Sequence, residues 1–179
     1  MNQRFAKRRG RSLSQPEAGA LARFAPYWIL LLSAGALGTA YVAQYGFGLE
    51  PCELCLIERW PYRVAILLAA IAVLFRPRPA WRSVLVFLCS LTFLAGAGVA
   101  AYHVGVEQHL WLGTAACTGN AAPNSLAALR AQIMHTPVAR CDQPALVVLG
   151  LSIAGWNFVA SVVLFLASLI AGLRLWRVR

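Results

Sequence analysis

The stretch PCELCLIERWPYR, residues 51–63, sets two thiols, Cys52 and Cys55, two residues apart and follows them with Glu58, Arg59 and Arg63 at the start of an apolar run. A bridge across so short a gap is easily reduced, which suits thiol–disulfide exchange more than stapling. Pro51 suits a helix start. Both cysteines are therefore expected in the first turn of a helix, where its positive end lowers a thiolate's pKa. Arg59 lies four residues after Cys55 and seven after Cys52, on one helical face with both, so a fixed cation is expected one turn below the sulfurs. An ionisable side chain at that depth of an apolar segment points by default to function. For Arg63 the simpler reading is preferred, a side chain snorkelling to the surface with Glu58 neutralising one of the two arginines. Pro61 removes a backbone donor and is expected to kink the helix near its outer end, opening a pocket.

The elements that must position these groups are membrane helices. Hydrophobic residues make up 60% of the 179 and charged residues only 12%, which excludes an ordinary soluble domain. Three stretches without Asp, Glu, Lys or Arg, 24–49, 83–106 and 143–173, exceed the roughly 20 residues that cross a bilayer. A fourth apolar run, 56–75, carries the three charges near its start and is closed by Pro77 and Pro79. The expected fold class is an all-α integral membrane protein, a four-transmembrane-helix bundle with spans at 25–46, 56–75, 83–104 and 146–172. Residues 1–22 form a basic cytoplasmic tail, 23–174 one membrane domain and 175–179 a second tail. Gly96, Ala97, Gly98 and Ala100 allow close helix contact in span three, and Trp28, Trp60, Trp81, Trp111 and Trp176 suit an interfacial belt. No repeat is evident.

Orientation follows from the basic residues. Twelve of the sixteen lie in 1–25, 76–82 and 174–179, against one acid, Glu17. The positive-inside rule then places both termini in the cytoplasm and loops 47–55 and 105–145 outside. The net charge of +10 is thus a topology signal, and no nucleic-acid partner is expected. Cys52, Cys55, Cys117 and Cys141 face the oxidising side, where an even set of thiols usually means disulfides, the natural pairs being Cys52 with Cys55 and Cys117 with Cys141. A bridge across the 23 residues between the second pair could stabilise the loop by roughly 3–4 kcal/mol, which on its own is a purely structural role. Cys89, among Leu and Phe in span three, reads as a small packed hydrophobe without a role.

The motif PCELCLIER before an apolar span, the four-span layout and the second outer pair together resemble the bacterial disulfide bond formation protein B (DsbB) family of quinone-coupled thiol oxidases. YHVGVEQ (102–108), the ACTG around Cys117, RCDQPAL (140–146) and LGLSIAGWN (149–157) are similar to the same family, so the resemblance covers roughly residues 26–172. It implies an inner-membrane enzyme with its active site facing the periplasm. A periplasmic DsbA-type thioredoxin-like oxidase is reoxidised by the loop pair, and the electrons pass through Cys52–Cys55 to a bound ubiquinone or menaquinone. By the resemblance, Cys117 forms the mixed disulfide with the partner and Cys141 is its bridge-mate. Cys55 is the thiolate facing the quinone, Cys52 the more exposed member that exchanges with the loop, and Arg59 holds the ring through a carbonyl oxygen. The relay is physically sensible: a partner near −120 mV is reoxidised only by something more electron-hungry, each 30 mV of mismatch costing about 1.4 kcal/mol. One pair near the bilayer surface is open to a lipid-soluble ring, and the other, out in the loop, to a soluble protein.

Three smaller expectations complete the picture. Segment 122–134 has Leu126, Leu129, Ile133 and Met134 at helical spacing and is expected to form a short helix lying on the membrane, with hinged flanks at Gly113, Gly119, Pro123 and Pro137. His103, ending span three, could donate to a quinone oxygen or be an ordinary interfacial residue beside Tyr102. The chain is expected to be a monomer. Rival readings are a zinc or copper carrier, a non-catalytic disulfide-stapled membrane protein, and a vitamin K epoxide reductase-like enzyme with the same relay logic on a differently connected bundle. The first is disfavoured because the spacing matches no zinc ribbon and no histidine is adjacent in sequence, so no metal ligand is assigned. The second leaves Arg59 unexplained, and the order of PC-x2-C-x2-ER after span one disfavours the third.

Overall fold

Long runs without charge or helix breakers become helices because only an internally bonded backbone can be surrounded by lipid. The computed structural model describes residues 22–74, 79–114, 117, 125–127, 130 and 139–177. Helix α1 is Ala25–Tyr41, with Pro26 in its first turn, and it runs on through a π-helical turn at Val42–Gly46. After a short loop come α2, Glu53–Ile57, and α3, Arg59–Leu74. Helix α4 is Pro79–Glu107, and α5, Ile153–Arg177, ends the described chain. Among the described residues three helices, Ala25–Gly46, Ala80–Glu107 and Ile153–Arg177, are long and apolar enough to cross a membrane.

The second expected span differs from its reading. It is two helices broken at Glu58, and α3 alone, at 16 residues, rises about 24 Å, short of a hydrocarbon core of about 30 Å. Pro61 explains the break: without an N–H it cannot bond to the carbonyl of Ile57, so the chain restarts its helix with Pro61 in the new first turn. The expected kink is therefore an interruption three residues earlier.

The fourth expected span also starts later, at Ile153 instead of residue 146. The six residues before it form an antiparallel hairpin, β1 (Val147–Val148) against β2 (Leu151–Ser152), turning through Leu149 at φ 53° and Gly150 at φ 83°. Two successive positive φ values are the signature of a type I′ turn. Trp156 donates its indole N–H to Val148 O at 2.9 Å, and the Ser152 hydroxyl accepts from Gly155 N at 3.1 Å, capping α5.

Helix α3 lies between α1 and α4, α5 runs along α4, and α1 meets α5 only briefly. The core between them is built from Ile29, Leu37, Tyr62, Ala65, Ala69, Val86, Cys89, Phe93 and Leu164. Close approach of α3, α4 and α5 depends on Gly96, where a Cβ would lie 3.1 Å from Pro61 and 3.6 Å from Ser161. Ala97 and Ala100 are buried as expected, whereas Gly98 has nothing near it. Cys89 is buried in this core. Leu31, Leu67, Leu74, Leu91 and Val163 point outward from the bundle, as helices facing lipid require. The basic tail at 1–21 and most of segment 122–134 lie outside the described residues.

Candidate functional site

Both cysteine pairs meet at one end of the bundle. Cys52 occupies the N-cap of α2, and its sulfur accepts the backbone N–H of Cys55 at 3.3 Å, so the short helix starts by bonding to a thiol where a serine or aspartate would usually stand. The Cys52 and Cys55 sulfurs are 2.7 Å apart and unbonded. Cys117 and Cys141 are joined by a disulfide with Cα atoms 5.0 Å apart, the pairing expected from their side of the membrane. The backbone of Cys141 donates to Cys117 O at 3.1 Å, and Cys117 N is held by Thr114. Beside Cys141, Arg140 grips Asp142 through two hydrogen bonds of 2.9 and 2.6 Å and holds that carboxyl below the usual carboxylate range. Cys52, Leu54, Val106, Cys117 and Cys141 form one buried cluster with Cys55 and Ala139 against it.

Two expectations about exposure are corrected here. Cys52, expected to be the more open of its pair, is buried, while Cys55 is half-buried, because the N-cap turn points Cys52 inward beneath Val106 and the disulfide. The loop pair, expected to be open to a soluble protein, is 0% exposed.

A chain of polar side chains runs inward from Cys52. His103 on α4 sets Nε2 3.6 Å from the Cys52 sulfur and Nδ1 2.8 Å from Glu58 Oε1. Asn157 on α5 donates to Glu58 Oε2 at 2.7 Å, and Tyr62 donates to Asn157 Oδ1 at 2.6 Å with Ser161 at 3.3 Å. Glu58 and His103 are 7% and 3% exposed, so this carboxylate is paired on both oxygens, as burial of a charge demands. Glu58 thus pairs with His103, and not with Arg59 or Arg63 as the sequence suggested. The Cys55 thiol, donating to Cys52 at the N-cap, pulls the Cys52 pKa down to about 5, with His103 adding to the effect.

Arg59 stands apart from the sulfurs. Its guanidinium donates to Gln44 Oε1 at 2.6 Å and lies over the Tyr41 ring, 5.2 Å from the centroid. Among the described residues it makes no hydrogen bond to either cysteine, since the break at Glu58 turns it towards α1. Arg63 reaches the Tyr41 hydroxyl at 3.1 Å and stacks on Trp60. Tyr45 stacks on Tyr41 with centroids 6.1 Å apart, and Tyr45, Phe47, Leu56 and Ile57, on the segments that flank Gln44 and Arg59 in the chain, are exposed apolar side chains. A buried guanidinium with an amide and an aromatic face, opening on an apolar rim, fits a ring that carries carbonyl oxygens.

The sequence reading missed Gln44, Tyr62, Asn157 and Ser161, and gave Glu58 only the neutralising of an arginine. Asn157 carried a signal, being a lone carboxamide in a long apolar helix. The histidine thought remote from the thiols is brought to them by folding, which removes one of the objections to a metal site.

The family model for disulfide bond formation protein DsbB matches residues 22–171. A disulfide bond formation protein B of Saccharophagus degradans is 33% identical over 151 residues, covering 81% of this chain and 91% of its own. One from Hahella chejuensis is 33% identical over 139 residues, 75% of this chain and 84% of its own. An uncharacterized protein of Rickettsia prowazekii is 28% identical over 141 residues, 77% of this chain and 80% of its own. No solved structure matches the chain.

Proposed function

The chain belongs to the disulfide bond formation protein DsbB family, and from that premise we propose that it is a bacterial inner-membrane thiol oxidase passing electrons from a periplasmic DsbA-type thioredoxin-like partner to ubiquinone or menaquinone. The observation that carries the reading is the single buried cluster holding both cysteine pairs. A dithiol beside a disulfide is the arrangement that exchange requires.

In the net reaction the partner's two thiols lose two electrons and two protons and become a disulfide. A partner thiolate attacks one sulfur of Cys117–Cys141, and Cys117 is the one we assign to the mixed disulfide. The partner's second thiolate resolves it, leaving Cys117 and Cys141 reduced. The loop thiols are then reoxidised by the Cys52–Cys55 disulfide, which becomes the dithiol. The quinone, when bound, accepts two electrons and two protons and so restores that disulfide. Gln44, Tyr41 and Arg59 would hold it, with Arg59 facing a carbonyl oxygen. Cys55, the less buried of the two sulfurs, is the one we assign to face the quinone.

The inward polar chain handles protons. Cys52 is the better leaving sulfur when its mixed disulfide with a loop cysteine is resolved, because its thiolate is the stabilised one. With Nδ1 fixed by Glu58, His103 presents Nε2 to Cys52, where it can take up or return the thiol proton. We therefore assign His103 to the thiols and not to the quinone, since both ring nitrogens are already engaged. Four membrane crossings, with α2 and α3 together making the second, and an outward-facing cysteine cluster complete the proposal.

The test is full-length protein in lipid nanodiscs with quinone and reduced partner, followed by quinone absorbance. Turnover lost on Cys55→Ser supports the oxidase. Unchanged turnover would return the protein to a stapled, non-catalytic role.

A further inference from the structure

We propose that the dithiol form of this chain carries a binding site for a zinc-type divalent cation, built from Cys52 Sγ, Cys55 Sγ and His103 Nε2, with Glu58 orienting the imidazole. The three ligand atoms all lie within 4.8 Å of one another. Two thiolates and an imidazole form a ligand set that zinc accepts while keeping a fourth position open.

The geometry is close to what such an ion needs. With metal–sulfur bonds of about 2.3 Å and a metal–nitrogen bond of about 2.05 Å, a tetrahedral site sets sulfur and nitrogen about 3.6 Å apart and its two sulfurs about 3.8 Å apart. Cys52 Sγ and His103 Nε2 already stand at 3.6 Å. The two sulfurs, at 2.7 Å, must open by about 1 Å. Cys55 can supply that movement, because it is the less buried member of the pair whereas Cys52 is fixed at the helix cap.

The surroundings match a metal-ligating histidine. Such a residue donates its other ring N–H to a carboxylate, and His103 Nδ1 meets Glu58 Oε1 at 2.8 Å. Glu58 is itself held by Asn157 at 2.7 Å, so the imidazole is oriented before any ion arrives. On binding, the Cys55 S–H bond breaks, two sulfur–metal bonds form and the proton leaves to solvent, Cys52 being a thiolate already. No electron moves. Oxidation of Cys52 and Cys55 to a disulfide removes both thiolates, so the site exists only in the reduced chain and an ion there stops the relay.

Binding needs neither quinone nor partner, so its failure would leave the oxidase reading intact. The test is Co2+ titration of full-length protein in detergent, fully reduced with a phosphine under argon. One ion per chain with a thiolate-to-cobalt charge-transfer band is expected, absent after oxidation and displaced by equimolar Zn2+. Glu58→Gln, which keeps volume, should weaken binding about 10- to 100-fold, and Cys117→Ser/Cys141→Ser should retain the band. No band in the reduced chain, a band that survives Cys55→Ser, or equal affinity in His103→Ala would overturn the site.

Discussion

Cys52 Sγ is the atom on which the chemistry turns, because it touches a second thiol, a backbone N–H and an imidazole at once. Its thiolate should persist down to about pH 5 in the reduced chain. The sign is fixed by the direction: a depressed pKa keeps the charged form as pH falls from the ordinary thiol range near 8.5 and loses it only on passing about 5. Thiolate ultraviolet absorbance, taken as a difference from Cys52→Ser, should show that inflection. Cys55→Ala, which removes the largest cause, should move it back towards 8.5, and an unmoved inflection would contradict the assignment. His103→Ala should slow partner oxidation about 100-fold as a general acid–base group. Asn157→Ala should cost about 10-fold through loss of one buried hydrogen bond to a carboxylate, with the fold retained by circular dichroism. The thiols and Arg59 were legible in the sequence because unlike residues stood close together in the chain. Glu58, His103 and Asn157 were not grouped, because their contacts span 45 and 99 positions and no local pattern encodes them.

At the scale of elements, two joints place the site. Gly105 lets Trp111 fold back over the end of α4, where Tyr102 stacks on it with centroids 5.9 Å apart and Tyr102 O accepts its indole N–H at 2.8 Å. A Cβ at Gly105 would fall 2.0 Å from the Trp111 ring. Gly105→Ala should therefore expel the ring and cost about 1–3 kcal/mol, seen as a lower melting temperature and altered tryptophan fluorescence. Adding Trp111→Ala should restore most of the lost stability, and no loss in the single variant would show that the ring does not pack there. The second joint is the hairpin before α5. At φ 83°, Gly150→Ala should cost about 1–2 kcal/mol in thermal unfolding, a loss that an alanine at the open Gly98 should not share. Helix bounds were readable where charge and apolar runs alternate, as in α1 with its π turn, which ends at residue 46 as expected. They were not readable at 146–152, because a hairpin made of Val, Leu and Gly has the same hydropathy as the helix it precedes.

At the scale of the whole molecule, the bundle brings the α2 end, the α4 end and the loop cysteines into one buried cluster, the arrangement that the proposed relay between the pairs requires. The family and the apolar helices were legible from composition and motif, whereas the burial of the loop disulfide was not, since it depends on Leu54 and Val106 arriving from separate helices. The most direct measurement traps the exchange itself. Oxidised Cys55→Ser protein, in nanodiscs with an excess of thiol-free lipid, should rearrange so that Cys52 forms a disulfide with Cys117 or Cys141, identified by mass spectrometry of non-reduced peptides. A chain in which Cys52 stays a free thiol and Cys117–Cys141 stays intact after prolonged incubation would contradict a relay between the two pairs.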